Sequence, residues 1–488
     1  MKNIPIEAPQ GLKRRDLLTG SGAGAAAVLL SRAAAAQEVP PRLPAAPAPA
    51  PPTQQDTGPD FGWEDDSALA NFPPVLTSEA RGAVDWNEIR SQWTLDPREV
   101  NLSAMLFASH PASVRQAIER HAQALDASPV TYLEENNRPL QNAARAQAGR
   151  YFGTLGTSVG LCESTTSGIG LLYNGLILRP GQEVLTTTHD YYVTHESLRM
   201  AAARTGATVR KITLFAQSEA AQSDQIVELI IDNIRPETRV LALTWVHSST
   251  GLKMPIAAIA AALAPINAAR PLRDRVLFCV DGAHGFGVEN VTLPALGCDF
   301  LVSSCHKWLF GPRGTAVVFG THYGWSRVSP TVPTFLEPGA YSSWIGGYEP
   351  GPNTAARMTP GGFKAFEHIW AMSEAFKFHH SIGKAAIAAR TAELAGRMKA
   401  GLSAIGHVSL RTPLDPAMSA GIVSFDIAGL TADQTVNALR RARIVASAAP
   451  YAVRHARLTP SFRNTQEEVD YALNVIDGMR IPRRYRRG

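Results

Sequence analysis

Between residues 183 and 320, short apolar runs of β-type composition alternate with alanine-rich stretches of helical period. The runs are EVLTTT (183–188), TVRKITL (208–214), RVLALTWV (239–246), RVLFCVD (275–281), FLVSS (300–304) and TAVVFG (315–320). Such alternation predicts an α/β fold with a mainly parallel sheet that helices cover on both faces. Ligands bind such sheets at the carboxyl ends of the strands, so the residues that follow each strand are candidates for chemistry.

The sequence changes character near residue 345. A glycine- and proline-rich loop, GGYEPGPNTAARMTPGG, precedes a helical stretch in which Ile387, Leu394, Met398 and Leu402 share one face. A strand, IVSFDI, and a terminal helix follow. We therefore expect a large α/β domain over residues 76–345, whose first residues can join a smaller α+β domain over residues 346–488.

The N-terminal residues are typical of an export signal. Residues 13–36 combine the pair Arg14 and Arg15, a weakly apolar stretch and the small residues Ala34–Ala36. This pattern predicts a twin-arginine signal over residues 1–36, cleaved near Ala36 and Gln37, and a periplasmic or otherwise exported protein that uses the twin-arginine machinery. The alternative is a basic N-terminus before a membrane anchor, but the apolar stretch is shorter than the ~20 residues that a span needs. We expect no stable membrane span after cleavage, and a proline-rich linker over residues 37–75.

The charge and the cysteines exclude other classes of protein. The formal net charge is +5, of which the first 36 residues carry +3, so the remaining chain carries only +2. That charge does not favour a nucleic-acid partner. Four cysteines lack CxxC or paired Cys/His spacing, so the sequence predicts no metal site and buried free thiols, although an oxidising compartment can pair two of them.

Two residues next to the predicted strands have side chains that can ionise and react. Lys307 follows FLVSS, where a buried amine can become a nucleophile that forms a Schiff base with a carbonyl. Asp281 ends the strand RVLFCVD, where a carboxylate can hold a proton on a ligand nitrogen. Taken singly, Lys307 is as readily explained by a strand-end ion pair, and Asp281 by a turn cap.

Two further segments suit anions. STTSGIGLLYNGL (164–176) places hydroxyls at the start of an apolar-faced helix, which can hold a phosphate or can simply be an N-cap. RHARLTPSFRNTQEEVD (454–470) contains Arg457, whose planar guanidinium suits a substrate carboxylate but also an ordinary surface ion pair.

In this chain order, the four features together resemble the class V aminotransferase family of fold-type I pyridoxal-phosphate enzymes, most closely its isopenicillin N epimerase-like branch. The resemblance covers residues 85–480, and VDGAH and HKWLFGPRG are its most specific parts. It implies a fold-type I sheet of seven strands. It also implies that Lys307 holds pyridoxal 5'-phosphate covalently and that Asp281 pairs with the pyridine nitrogen.

The resemblance assigns the other site residues as well. Those expected around the cofactor are Thr165, Thr166, Ser304 and His306 at the phosphate, Ala283 and Tyr191 on the ring, with His189 and Tyr192 nearby, and His284 and Ser248 at the phenolic oxygen. Arg457 is expected to bind the substrate carboxylate. Thr354 is expected at the phosphate of a neighbouring subunit, which implies a homodimer.

Two departures from the family pattern affect the expected reaction. No cysteine follows Cys305, which excludes the persulfide chemistry of family cysteine desulfurases. The segment VNLSAMLFASHP (100–111) resembles the family's substrate loop and includes Asn101, a candidate substrate contact. Ser103, Met105 and Phe107 replace its usual glycines. The substrate pocket is therefore expected to be atypical.

We therefore expect a pyridoxal-phosphate enzyme that deprotonates Cα of an amino acid or peptide-like amine, with epimerase-like or aminotransferase-like action. A C–S or C–C lyase is the alternative reaction, and a non-catalytic exported binding module is the alternative class. A P-loop or dinucleotide enzyme is disfavoured, because no GxGxxG or GxxxxGK(S/T) follows a strand.

Overall fold

A computed structural model describes residues 84–335 and 337–479. The strands are β1 Val100–Asn101, β2 Val159–Cys162, β3 Glu183–Thr187, β4 Thr208–Ile212, β5 Thr238–Thr244, β6 Leu277–Asp281, β7 Phe300–Ser304, β8 Ala316–Gly320, β9 Val408–Leu410, β10 Val423–Ile427, β11 Ile444–Val445, β12 Ser447–Ala448 and β13 Ala456–Leu458.

The helices alternate with these strands along the chain. They are α1 Trp86–Arg90, α2 Ala112–Ala127, α3 Pro129–Phe152, α4 Thr165–Asn174, α5 Tyr192–Thr205, α6 Ser223–Asp232, α7 Ile256–Ala268, α8 Leu293–Leu296, α9 His322–Trp325, α10 Pro338–Gly346, α11 Ala355–Met358, α12 Phe366–Trp370, α13 Met372–Ile382, α14 Lys384–Ala404, α15 Ala432–Arg441 and α16 Gln466–Asp477.

The larger sheet has seven strands in the order β2-β8-β7-β6-β5-β3-β4. All pairs are parallel except those of β8, which is antiparallel to both β7 and β2. The predicted mainly parallel sheet is confirmed, and each of the six predicted strands is present. The sequence analysis missed β2, whose four residues, VGLC, are too short to show a pattern.

Helices pack against this sheet, and one of them lies with its backbone directly on a strand. In α4, a Cβ added at Gly168 would lie 2.6 Å from Cγ1 of Val302, so the helix backbone touches β7 directly. On α7, Ile256, Ile259 and Leu263 are buried. Because β2 and β7 run in the same direction, the start of α4 and the end of β7 meet at one edge of the sheet.

A four-stranded antiparallel sheet, β12-β13-β10-β9, forms a second layer with α14. The predicted helix face with Ile387, Leu394, Met398 and Leu402 is buried in α14. The strand β1 pairs in parallel with β11, so residues near the start of the described chain join residues near its end. The division into domains at residue 345 stays a prediction.

The predicted signal, its cleavage site and the whole of the predicted proline-rich linker lie outside the described residues. Among the residues that the structure describes, no helix combines the length and apolar character needed to cross a membrane. Within the same ranges, no group of histidine, cysteine and acidic side chains is arranged to hold a metal ion. All four cysteines are buried free thiols.

Candidate active site

Asp281 and Lys307 lie at the same edge of the larger sheet. Asp281 ends β6, Lys307 follows the end of β7 by three residues, and the two strands are paired in parallel. The loop after β6 packs on the segment after Lys307 at Gly287, which has φ +88° and whose added Cβ would lie 2.8 Å from the backbone nitrogen of Leu309. The chain thus places the predicted acid and the predicted amine around one space.

Burial shifts the pKa values of both groups toward their neutral forms. It raises the pKa of Asp281, which is only 5% exposed, to about 6, although a hydrogen bond from the Ala283 N–H and the charge of Lys307 act in the opposite direction. Burial lowers the pKa of the Lys307 amine, against the attraction of Asp281. The two side chains form no ion pair with each other within 4.0 Å. Each side chain is therefore available to a group bound between them.

His284 lies beside the lysine. Its Nε2 is 3.5 Å from Lys307 Nζ, and its Nδ1 accepts a hydrogen bond of 3.4 Å from the Trp308 indole N–H. Burial and the positive charges of Lys307 and Arg457 hold the pKa of His284 well below its usual range. His284 is therefore a neutral imidazole at neutral pH.

Arg457 is a buried cation at the edge of this space. It lies in β13 and is 2% exposed, and burial lowers its pKa to about 10. Its Nε donates to Ser447 Oγ at 3.2 Å, and its two terminal nitrogens donate to the carbonyl oxygens of Ser248 at 2.5 Å and Ala448 at 3.1 Å. No described acidic residue pairs with it. One N–H on each terminal nitrogen remains, and such a pair suits a carboxylate.

Tyr451, which the sequence analysis missed, joins two predicted residues near Arg457. Its phenol oxygen lies 2.8 Å from Ser248 Oγ, and its ring centroid lies 5.7 Å from that of Tyr191. Burial raises its pKa, so the phenol stays protonated. The sequence gives one indication of this placement: Tyr451 precedes Arg457 by six residues.

The loop that carries Tyr191 is held by Asp190, a second residue that the sequence analysis missed. The Asp190 carboxylate accepts hydrogen bonds from Thr187 N at the end of β3 and Thr244 N at the end of β5, at 2.9 and 2.6 Å. Next to it, the His189 ring stacks on Phe215 with centroids 3.9 Å apart. The carboxylate therefore ties two strand ends together beneath Tyr191.

The start of α4 meets the end of β7 through hydroxyl groups. Thr165 Oγ1 and Ser304 Oγ are 2.7 Å apart, and each hydroxyl also accepts the other residue's backbone N–H. Ser164 caps the helix in a capping box with Ser167, so for Ser164 the N-cap interpretation is correct. Thr166 is exposed, and its hydroxyl bonds to no described residue.

His306 lies between Ser304 and Lys307 in the segment that follows β7. Its Nδ1 is buried and has no hydrogen-bond partner among the described residues, and burial with the charge of Lys307 lowers its pKa to about 4. Its ring lies 5.8 Å from that of Phe107, on the predicted substrate loop, and the Arg313 guanidinium lies 5.0 Å from the centre of the Phe107 ring. Phe107, which the sequence analysis expects in place of a family glycine, thus lies between His306 and Arg313.

Two predicted residues are not part of this group. Thr354 is exposed and caps α11 by accepting the Arg357 N–H at 3.2 Å. Asn101 lies in β1, and its side-chain oxygen accepts the N–H of Ser103 at 3.1 Å in a local turn. Their predicted roles, at a neighbouring subunit's phosphate and at the substrate, stay predictions.

The chemistry of this group fits pyridoxal phosphate. Lys307 and Arg457 lack anionic partners among the described residues, and Asp281 lacks a cation. Two histidines present buried ring nitrogens without partners in the described ranges: Nδ1 of His306 and both nitrogens of His247. A ligand with an aldehyde, a protonated ring nitrogen and a phosphate matches the amine, the carboxylate and the donors, and an amino-acid carboxylate matches Arg457.

The chain resembles known proteins both in sequence and in fold. The chain is 28% identical over 407 residues to isopenicillin N epimerase of Streptomyces clavuligerus, which is 81% of this chain and 98% of the relative. It is 29% identical over 245 residues to a cysteine desulfurase of Cronobacter sakazakii, which is 48% of this chain and 57% of the relative. A solved mutant of C-DES with glycine covalently linked to its pyridoxal-phosphate cofactor has the same fold, with a TM-score of 0.70 at 19% identity over 79% of this chain and 100% of that one.

Residues 108–471 match the family model for class-V aminotransferases, a span that contains every predicted site residue except Asn101. The predicted fold and the predicted family are thereby confirmed. This protein belongs to the aminotransferase class-V family of pyridoxal-phosphate enzymes.

Proposed function

We propose that the protein deprotonates Cα of an amino acid or peptide-like amine, in an epimerase-like or aminotransferase-like reaction. One observation carries this proposal: two buried basic side chains, Lys307 and Arg457, lie close enough to act on each other and form no ion pair with any described acidic residue, and Asp281 lies at the same sheet edge as Lys307. The 98% coverage of an isopenicillin N epimerase supports the epimerase-like form.

Pyridoxal phosphate, when bound, withdraws electrons from an amine joined to it and so acidifies the α-hydrogen of that amine. Lys307 would hold the cofactor through its amine, and the same amine, in its neutral form, would be the group placed to accept the α-proton of the substrate. The lowered pKa of Lys307 favours that neutral form. Asp281 keeps its charge by pairing with the protonated ring nitrogen, which offsets the cost of burying the carboxylate.

Arg457 orients the substrate in this proposal. Its three hydrogen bonds to Ser447, Ser248 and Ala448 fix the guanidinium plane, so the remaining two N–H groups have a set direction. A carboxylate bound there holds Cα at a fixed distance from Lys307. Such pre-organisation lowers the entropic cost of the proton transfer.

The cofactor step is tested by the absorbance of the purified protein. We expect the wild type to be yellow, or to become yellow with added pyridoxal phosphate, and Lys307→Ala to lose the colour on desalting. Lys399→Ala is a matched control, because Lys399 is also buried but donates to Pro413 O, Leu414 O and Ser419 Oγ away from the site. A wild type that gains neither colour nor thermal stability with the cofactor would refute the proposal.

The reaction is tested with a panel of α-deuterated amino acids. Loss of deuterium without keto acid indicates epimerisation, and keto-acid formation without release of sulfide or a carbon fragment indicates transamination. Sulfide release indicates the alternative, a C–S lyase, and release of a carbon fragment indicates a C–C lyase. Loss of deuterium from no member of the panel, with cofactor bound, would leave the non-catalytic binding module as the better explanation.

We also propose export through the twin-arginine machinery, supported by Arg14 and Arg15 before the apolar stretch. Replacing both residues by lysine is expected to retain the protein in the cytoplasmic fraction with its signal uncleaved. Periplasmic delivery of that double variant at the wild-type level would refute this route.

A homodimer is the third proposal. Exposed aromatic side chains lie on the segment around Thr354, including Trp344 at 75% and Phe363 at 78% exposure, and such side chains favour a protein contact. Sedimentation is expected to give a dimer, and Trp344→Asp with Phe363→Asp is expected to shift it toward monomer. A wild-type monomer at micromolar concentration would refute the proposal.

A further inference from the structure

Trp308 holds a polar contact inside the site that the proposed mechanism does not use. The residue follows Lys307 directly, and its side chain is fully buried. The backbone just before β10 lies against its ring, because a Cβ added at Gly421 would lie 2.5 Å from Cη2 of Trp308. The indole is therefore fixed in place, and its N–H reaches His284 Nδ1.

This contact selects one tautomer of His284. An indole N–H can only donate a hydrogen bond, so Nδ1 of His284 must accept it and carries no proton. Since His284 is neutral, its single ring proton lies on Nε2. Trp308 thus sets the tautomer of His284 through Nδ1, the ring nitrogen that does not face Lys307.

The proton on Nε2 then faces the amine of Lys307 at a nitrogen–nitrogen distance of 3.5 Å. A neutral amine offers a lone pair to that N–H, whereas an ammonium group offers only further N–H groups. We propose that Trp308 is a positioning residue: by fixing the tautomer of His284, it favours the unprotonated amine of Lys307.

Other charged groups also act on Lys307, and they do not change when Trp308 is replaced. Asp281 favours the ammonium form, Arg457 disfavours it, and the lysine charge in turn acts on the buried ring of His306. The effect of Trp308 passes through His284 alone. The inference rests on the proposed function in one respect: an unprotonated amine at Lys307 matters because it is the form that reacts with an aldehyde cofactor. The contact between Trp308 and His284 needs no cofactor.

The test measures the titration of Lys307 in cofactor-free protein. Trace reductive methylation with formaldehyde and cyanoborohydride at graded pH, read by mass spectrometry of the peptide that contains residue 307, gives the pH midpoint of amine reactivity. We expect Trp308→Phe to raise this midpoint by roughly half to one pH unit. The freed imidazole can then turn the lone pair of Nε2 toward the ammonium group.

Trp325→Phe is the matched control, because Trp325 is also buried and donates its indole N–H to a backbone carbonyl, that of Ser158 at 3.3 Å, in another part of the sheet. In Trp325→Phe, the pH midpoint of Lys307 reactivity is expected to equal that of the wild type. In a His284→Phe background, Trp308→Phe is expected to cause no further shift, since the intermediary is gone.

An unchanged midpoint in Trp308→Phe would overturn the proposal, as would an equal shift in the His284→Phe background. If Trp308→Phe does not fold, nitrogen-15 NMR of His284 in the wild type decides the point. A proton on Nε2 supports the proposal and a proton on Nδ1 overturns it. Neither measurement needs pyridoxal phosphate, so a failure here is distinct from a failure of the wild type to bind the cofactor.

Discussion

Thr165, at the start of α4, and Ser304, at the end of β7, are joined by three hydrogen bonds, with their hydroxyl oxygens 2.7 Å apart. The pair fixes the start of α4 against the end of β7. If Thr165 and Ser304 bind the cofactor phosphate, each hydroxyl contacts both the other residue and the ligand.

Thr165→Val removes the hydroxyl without changing the side-chain shape, and leaves the buried N–H of Ser304 without its acceptor. We expect unfolding free energy to fall by about 1–3 kcal/mol and affinity for pyridoxal phosphate to fall roughly 10-fold. Affinity for pyridoxal, which lacks the phosphate, is expected to change little, as measured by spectral titration. Ser164→Ala, which removes only the helix cap, should cost about 1 kcal/mol and leave both affinities unchanged. Equal losses for the two ligands would contradict the phosphate assignment.

Asp281→Asn is expected to change stability with a definite pH dependence. The folded pKa of about 6 lies above the ordinary 3.8, so the folded chain holds a proton that the unfolded chain has lost. The stability of the cofactor-free wild type therefore falls as pH rises from about 4 to 6, by at most about 3 kcal/mol. The asparagine oxygen can still accept the Ala283 N–H.

Urea unfolding at pH 4 and pH 8 checks this expectation. Cofactor-free Asp281→Asn should be more stable than the wild type at pH 8 and nearly equal to it at pH 4. It should also bind pyridoxal phosphate more weakly, because the ring-nitrogen partner has lost its charge. A stability difference that is the same at both pH values would show that Asp281 is not buried as described.

Arg457→Lys tests the carboxylate assignment. Lysine keeps the charge but cannot make three fixed hydrogen bonds and still present two N–H groups. We expect kcat/KM for a carboxylate-bearing substrate to fall roughly 30- to 100-fold, with a small effect on the corresponding amide. Arg463→Lys, which alters another buried arginine outside the group, controls for lost packing. Equal losses for acid and amide would argue against a carboxylate at Arg457.

Tyr451→Phe and Ser248→Ala each remove one side of a single hydrogen bond of 2.8 Å. Each is expected to lower the unfolding free energy by about 1 kcal/mol, and the double variant to lose less than the sum of the two. Both should also raise KM, because the pair adjoins Arg457. Thermal unfolding and steady-state kinetics of the four proteins measure the coupling, and strict additivity would place the two hydroxyls out of contact.

Most of the sheet could be predicted because strands such as β6, β7 and β8 are buried along their whole length and form apolar runs in the sequence. Several candidate site residues could be proposed because they follow such strands at one edge of the sheet. Asp281 and Lys307 illustrate this: parallel pairing of β6 with β7 brings together residues 26 positions apart. Sequence patterns predict a strand and the residues that follow it well, because both depend on neighbouring positions in the chain.

Tyr451 and Asp190 could not be predicted in the same way. Tyr451 lies in an irregular segment before β13, and its partner Ser248 is 203 residues away, so no periodicity connects them. Asp190 acts by accepting backbone N–H groups from two strand ends, a role that any acidic residue in a turn could fill. β2 was missed because its identity as a strand depends on the antiparallel strand β8, which follows it by more than 150 residues.

The pairing of β1 with β11 sets the order of events during synthesis. Val100 and Ile444 are 344 positions apart, and the Asn464 side chain donates to the carbonyl oxygen of Asn101 at 3.0 Å. Contacts between these two parts of the chain can therefore form only after residue 464 has been synthesised. Arg457 thus reaches its place later than Asp281 and Lys307, whose strands belong to a part of the chain that is made earlier.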